Sequence, residues 1–290
     1  GRRCAVSHAT DASPLRTESV NGVRYRWRDA GQGPALLLLH GFTGSLHTWD
    51  PFLPELARHF RVIAVDLPGH GGTDAPGDPE RYRMERCIAD LLAILDGLGV
   101  DRTAVLGYSM GGRVALHLAA AAPQRVEGLI VESGSPGIAD AAERAARIAS
   151  DRALAAFIER EGVAAFVERW ERLPLFASQA GLPEPVRASL RAQRLRNRAA
   201  GLANSLRGMG AGVQPPLHDR RADLTMPTLL MAGELDEKYV RIVTDMAAHM
   251  PNARTAVVPG AGHAVHLERP TEFLRVVTAF LREQVVPDRG

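Results

Sequence analysis

Two hydrophobic rhythms run along the chain. Residues 23–27 alternate Val-Arg-Tyr-Arg-Trp, the period-two pattern of a half-buried strand. Residues 35–39 are an unbroken apolar run, too short for a core helix and suited to a central strand. Similar short runs at 61–65, 104–106, 126–131, 227–232 and 254–258 predict further buried strands. Between them the period lengthens. Ile88, Leu91, Leu92 and Leu95 fall on one face of a helix predicted over 84–98, and helices are expected at 237–249 and 271–284. From 140 to about 212 only helical spacing occurs: Leu154, Phe157 and Ile158, then Val163, Phe166, Val167 and Trp170. Alternating strands and helices imply an α/β fold with a mostly parallel central sheet flanked by helices. The helical block is expected as a cap, inserted at about 138–215 into a single domain spanning 15–290. Residues 1–14, GRRCAVSHATDASP, lack an apolar core and are expected to form a disordered leader.

Open α/β sheets bind ligands beyond the carboxyl ends of their strands. The stretches HGFTG (40–44), DLPGHGG (66–72), GYSMGG (107–112), ESGSPG (132–137), GELD (233–236) and GAGH (260–263) each follow a predicted strand. They should converge on one surface beneath the cap. One of them, G-x-S-x-G centred on Ser109, sits between a strand and a helical pattern, the order that a nucleophile elbow requires. A serine hydroxyl needs a neighbour to take its proton, and that neighbour needs an acid to orient it. His263 and Asp236 are the candidates, in the chain order Ser, Asp, His used by α/β-hydrolases. Each has a duller reading. His263 could be structural, with His266 three residues on, and Asp236 could cap the helix that begins near Glu237. Glu132, at another strand end, is the rival acid. The backbone N–H groups of Phe42 and Met110 are the expected oxyanion donors, which serve an ester intermediate and an enolate equally. His40 and His70 are expected to brace loops.

Composition narrows the partners. The net charge is only +2 and the arginines are dispersed, which does not suggest nucleic-acid binding. No apolar stretch is long enough to span a bilayer. Cys4 and Cys87 form no ligand pattern, no metal-ligand spacing appears, and the Gly-rich loops match no nucleotide fingerprint. A cytoplasmic protein is expected. Arg113 follows Ser109 by four residues and so stays on its side of the helix. The cap region adds Arg144, Arg147, Arg194, Arg196 and Arg198, and guanidinium forks favour carboxylates. A small polyanionic ligand is therefore expected. Basic character is otherwise a matter of composition: Lys238 is the only lysine.

The stretches LHGFTGS, DLPGHGGTD, LGYSMGGR, ESGSPG followed by ERAAR, RWERLPLFASQ, RLRN, GLANSLRGMG, GELDEKY and GAGHAVHLE, covering residues 36–270, resemble the MenH family of α/β-hydrolase-fold proteins. These are the 2-succinyl-6-hydroxy-2,4-cyclohexadiene-1-carboxylate synthases of menaquinone biosynthesis. The resemblance implies a lyase without a cofactor. Its catalytic residues would be Ser109, Asp236 and His263, its oxyanion donors Phe42 and Met110, and its substrate contacts Tyr108, Arg113, Arg144, Trp170 and Arg196. Tyr239 departs from the phenylalanine expected there, and Trp170 reads equally as cap core. Two other readings stay open on the residues alone. A serine hydrolase acting on esters or carbon–carbon bonds would use the same triad, and a non-catalytic binding protein would keep the fold without the chemistry.

Overall fold

In the computed structural model, residues 14–286 are described. The expected leader, apart from Pro14, lies outside them. Eight strands form one sheet: β1 (Leu15–Val20), β2 (Val23–Ala30), β3 (Ala35–Leu39), β4 (Arg61–Val65), β5 (Thr103–Tyr108), β6 (Val126–Glu132), β7 (Thr228–Gly233) and β8 (Ala253–Val258). The helices are α1 (Leu53–Leu56), α2 (Met84–Gly97), α3 (Met110–Ala121), α4 (Ala141–Glu171), α5 (Glu184–Leu195), α6 (Ala199–Met209), α7 (Glu237–His249), α8 (Val265–Glu268) and α9 (Pro270–Gln284).

The spatial order is β1-β2-β4-β3-β5-β6-β7-β8. Every pair from β4 to β8 in that order is parallel, while β1 and β2 add an antiparallel edge. The sheet is thus mostly parallel, as the sequence predicts. Strand β1 is not among the predicted elements, because five of its six residues are exposed and it carries no apolar face to read. Its signal is the Asn21-Gly22 turn, with both residues at positive φ, which pairs Val20 with Val23 in a tight hairpin.

Period-two alternation divides the apolar strands between two cores. Leu37, Leu39, Ile63, Val65 and Val105 face α2 and α3, with Val243 and Met246 of α7 completing that layer. Leu36, Leu38, Val62, Ala64 and Leu106 face the other way, onto Phe273, Val277 and Phe280 of α9. Both faces of the sheet are covered, so β3 needs apolar residues throughout. Full burial of each such side chain contributes about 1.5–3 kcal/mol.

Helices α4, α5 and α6 all lie between β6 and β7. Helix α4 turns at Gly162, whose backbone (φ 86°, ψ 172°) is open to glycine and strained for other residues. This helical layer has its own small core, Ala155, Ile158, Phe166, Val167, Leu202 and Leu206. It is fastened to the loops at the strand ends. The amide of Asn197 donates to the Thr43 carbonyl at 2.7 Å, and that of Gln193 to Ser45 Oγ at 2.8 Å. Gly201 and Gly69 meet so closely that a Cβ on Gly201 would lie 2.2 Å from the Gly69 carbonyl oxygen.

Candidate active site

Strand β5 leads into α3 through Ser109, whose backbone is held at φ 52°, ψ −110°. A non-glycine residue at positive φ is strained, and here the turn aims the side chain away from the sheet. The glycines around it permit the turn. A Cβ on Gly107 would lie 2.1 Å from the Gly111 carbonyl oxygen, and one on Gly111 would lie 2.1 Å from that of Leu39. Helix α3 can therefore pack directly on the sheet only with small residues at both positions.

Ser109 Oγ is 3.1 Å from His263 Nε2, and His263 Nδ1 is 2.8 Å from Asp236 Oδ2. The acid fixes the tautomer: Nδ1–H donates to Asp236, leaving Nε2 to accept from the serine. Asp236 precedes α7 but makes no side-chain capping bond; its carboxylate turns to His263 instead. Both are buried, His263 at 2% and Asp236 at 8% exposure, so water competes little for these bonds. The serine–histidine–acid chain joins residues 154 positions apart.

Glu132 serves a different histidine. Its Oε1 accepts from the backbone N–H of His266 at 3.0 Å and lies 2.9 Å from His266 Nδ1. It does not reach His263. The next residue, Ser133, also at positive φ, donates its hydroxyl to the His263 carbonyl at 2.7 Å and so pins the histidine loop to the end of β6. That role is invisible in the sequence, since it rests on a contact across 130 positions.

The N–H groups of Phe42 and Met110 have no intramolecular acceptor among the described residues. The Phe42 loop is braced by two histidines. His40 Nδ1–H donates to the Gly41 carbonyl, and its Nε2 accepts from the Leu67 N–H at 2.9 Å. His70 Nδ1–H donates to the Pro68 carbonyl, and its Nε2 accepts from the Thr43 N–H. Each ring must be neutral to accept. Burial pushes His40 down to about 4 and His70 to about 3 from an ordinary 6.5. Depressed histidine values mean that the unfolded chain binds protons the folded chain refuses. The fold should therefore keep this contribution above pH 6.5 and lose it as the pH falls toward 4, by at most about 1.4 kcal/mol per pH unit and histidine. Urea midpoints between pH 7 and 5 should fall accordingly, and fall less in His70→Asn; a flat profile would contradict these assignments.

A chamber of about 490 Å³ opens beside Ser109. Phe42, Tyr108, Met110, Arg113, Arg147, Asp151, Trp170, Lys238, Tyr239 and His263 are among the residues lining it. Arg113 is anchored by one edge, its Nη1 donating to the Met209 carbonyl and to Gln214 Oε1, each at 2.6 Å. Burial lowers its pKa to about 10, so it remains a cation at neutral pH. A second cavity of about 610 Å³ shares the walls Phe42, Tyr108, Trp170 and Phe176 and is lined further by Arg194, Arg196 and His266.

These two cavities sort the expected contacts. Tyr108 and Trp170 border both, and Arg113 borders the chamber of Ser109. Trp170 also packs edge-on against Phe42 at 5.4 Å and against the cap core, as the core reading of it expects. Arg144 borders neither cavity. It sits about 60° around α4 from Arg147, and its Nη1 turns back to the carbonyls of Ile138 and Ala139. Arg147 occupies the chamber in its stead. Arg196 lies in the second cavity alongside Arg194, which is 5% exposed and stacks over Phe176 at 5.1 Å. Arg198 donates to the Gly71 and Thr73 carbonyls and ties the cap to the body. The charged lining residues Asp151, Arg169 and Lys238 are not among the contacts expected from the sequence. Of these, Lys238 carried a faint signal, as the only lysine in a chain that otherwise uses arginine.

The α/β-hydrolase fold family matches residues 34–270. A Bacillus subtilis (strain 168) protein, named provisionally as a 2-succinyl-6-hydroxy-2,4-cyclohexadiene-1-carboxylate synthase, is 46% identical over 263 residues, 90% of this chain and 96% of its own length. The synthase of that name from Serratia proteamaculans (strain 568) is 33% identical over 86% of this chain and 93% of its own. Among solved structures, MenH from S. aureus is similar with a TM-score of 0.86 and 36% identity, covering 90% of this chain and 98% of that one. Among the described residues, no helix is long and apolar enough to cross a membrane. The chain belongs to the α/β-hydrolase fold family and, within it, to the 2-succinyl-6-hydroxy-2,4-cyclohexadiene-1-carboxylate synthases, the MenH family.

Proposed function

We propose that this chain eliminates pyruvate from 2-succinyl-5-enolpyruvyl-6-hydroxy-3-cyclohexene-1-carboxylate, giving 2-succinyl-6-hydroxy-2,4-cyclohexadiene-1-carboxylate. The observation that carries this reading is the shared chamber: the Ser109–His263–Asp236 chain opens into a space that is also lined by Arg113, Arg147 and Arg169. A pocket for a neutral ester gains nothing from three guanidinium groups, whereas a substrate with three carboxylates does.

The proton transfers of this reading begin at the triad. His263, oriented by Asp236, accepts the Ser109 hydroxyl proton, and the serine oxygen removes the ring proton α to the succinyl ketone. The electrons move into a dienolate, whose oxygen faces the N–H groups of Phe42 and Met110. Each such donor contributes about 2.7–4 kcal/mol where charge develops. Collapse of the dienolate through the ring double bond breaks the carbon–oxygen bond to the enolpyruvyl group. The proton held by His263 returns to the departing enolate, giving pyruvate and restoring the triad. No acyl-enzyme forms. Tyr108 and Trp170 wall the reacting ring, and Arg113 with Arg147 receives its carboxylates.

The test is a coupled assay with the enolpyruvyl substrate generated in place. Pyruvate and conjugated-diene absorbance should rise together, one to one, far faster than the uncatalysed loss. Turnover of a simple nitrophenyl ester with a burst, and no acceleration of pyruvate release, would make the chain a hydrolase instead.

A further inference from the structure

The chamber contains a carboxylate where an anionic ligand must bind. Asp151 is 5% exposed and lies four residues after Arg147, so the two share one face of α4. Its Oδ1 accepts from Arg147 Nε at 3.0 Å, while the buried Oδ2 has no hydrogen-bond partner. The guanidinium is thereby held by its inner edge, and among the described residues its two Nη groups make no hydrogen bond. Arg113 faces Asp151 from α3, Arg169 borders the same chamber from the part of α4 beyond Gly162, and Lys238 and Tyr239 border it from α7. Helix α6 also packs on α4, but its one ionisable side chain, Arg207, is engaged at both Nη groups by Glu159. Burial raises the Asp151 carboxyl above its ordinary value, and Arg147 and Arg113 pull it back. An incoming carboxylate would neutralise those two cations and add a like charge, and both effects favour the protonated acid.

We infer that Asp151 is a positioning residue of this chamber: it holds Arg147 with its Nη groups free for a ligand carboxylate, and it takes up a proton when that carboxylate binds. The inference rests on the anionic substrate proposed above. It also explains why a carboxylate is present in an anion site. Charged, it pre-organises Arg147 in the empty chamber; neutral, it no longer repels the ligand.

The experiment is titration calorimetry of the full chain with 2-succinylbenzoate, a stable aromatic dicarboxylate with the product's skeleton, in buffers of differing ionisation enthalpy. Wild type should take up a proton fraction that approaches about one per ligand as the pH rises past the free-state value. Asp151→Asn should bind without that uptake. Asp151→Ala, which loses the Nε anchor, should raise KM about tenfold with a smaller change in kcat, and Asn, whose amide oxygen still accepts, should recover most of the KM. Stability separates this from a merely structural ion pair. A carboxylate whose folded pKa lies above its unfolded one stabilises only in acid, and that contribution is lost as the pH rises. At pH 7 the neutral Asn should therefore leave the thermal midpoint unchanged or raised. Proton uptake that survives in Asp151→Asn, or an Asp151→Ala variant with a wild-type KM and a lowered midpoint, would overturn the inference. Failure of wild type to bind 2-succinylbenzoate would overturn the proposed function with it; binding without Asp151-dependent uptake would overturn this inference alone.

Discussion

Ser109→Ala should lower pyruvate release by about 10²–10⁴-fold, the range lost when a positioned acid–base group is removed. The serine oxygen is the atom proposed to take the ring proton, and His263 Nε2 stands 3.1 Å from it. His263 alone would have to reach a proton placed for the serine, so a small residual rate is expected rather than none. The fold should be unaffected. The strained turn at Ser109 is held by backbone contacts, including the Ser109 N–H to the Glu132 carbonyl at 2.8 Å and the Arg113 N–H to the Ser109 carbonyl at 3.0 Å. Alanine preserves both. Steady-state kinetics beside a thermal melt would check this, and a variant keeping more than a tenth of the wild-type rate would remove Ser109 from the mechanism.

Arg113→Met has the second largest expected effect. Removing one partner of a buried, hydrogen-bonded charge pair costs about 2–5 kcal/mol, so kcat/KM should fall by about 30-fold to several thousand-fold. Methionine keeps much of the length and apolar surface while deleting the cation. It also strands the Met209 carbonyl and Gln214, which Arg113 now holds, so some stability loss is expected as well. Arg113→Lys separates the two contributions. Lysine restores the charge without the planar fork, so recovery of affinity in that variant would assign the effect to charge, and its absence to bidentate geometry. An unchanged kcat/KM in Arg113→Met would make the residue a structural brace of the 209–214 turn.

Much of this was legible in the chain, for local reasons. The run at 35–39 is apolar at every position because β3 is covered on both faces, and the strand–Ser109–helix order follows from the glycines that let α3 approach the sheet. The loops bearing Ser109, Asp236 and His263 follow strand ends, so a parallel sheet gathers them whatever the intervening chain does. Strand β1 was illegible, because an exposed edge strand has no apolar period. The sequence favours Asp236 over Glu132 without excluding the latter, since both stand at strand ends; the packing of the 263–266 loop gives each acid its own histidine.

The cap marks the boundary most clearly. Its helical character was evident from spacing, but its arginines were not separable. Arg144 and Arg147 lie in the same sequence neighbourhood, as do Arg194 and Arg196, and each reads as an exposed cation. Which guanidinium enters a cavity depends on the rotation of α4 against α6, the turn at Gly162 and the seating of Gly201 on Gly69. The sequence by itself determined the fold, the strand-end loops and the order of Ser109, Asp236 and His263 on them, because these follow from local periodicity and from backbone freedom at glycine. Tertiary structure alone decided that Arg147 and Asp151 share the chamber with Ser109, because their placement is set by contacts between segments far apart in the chain.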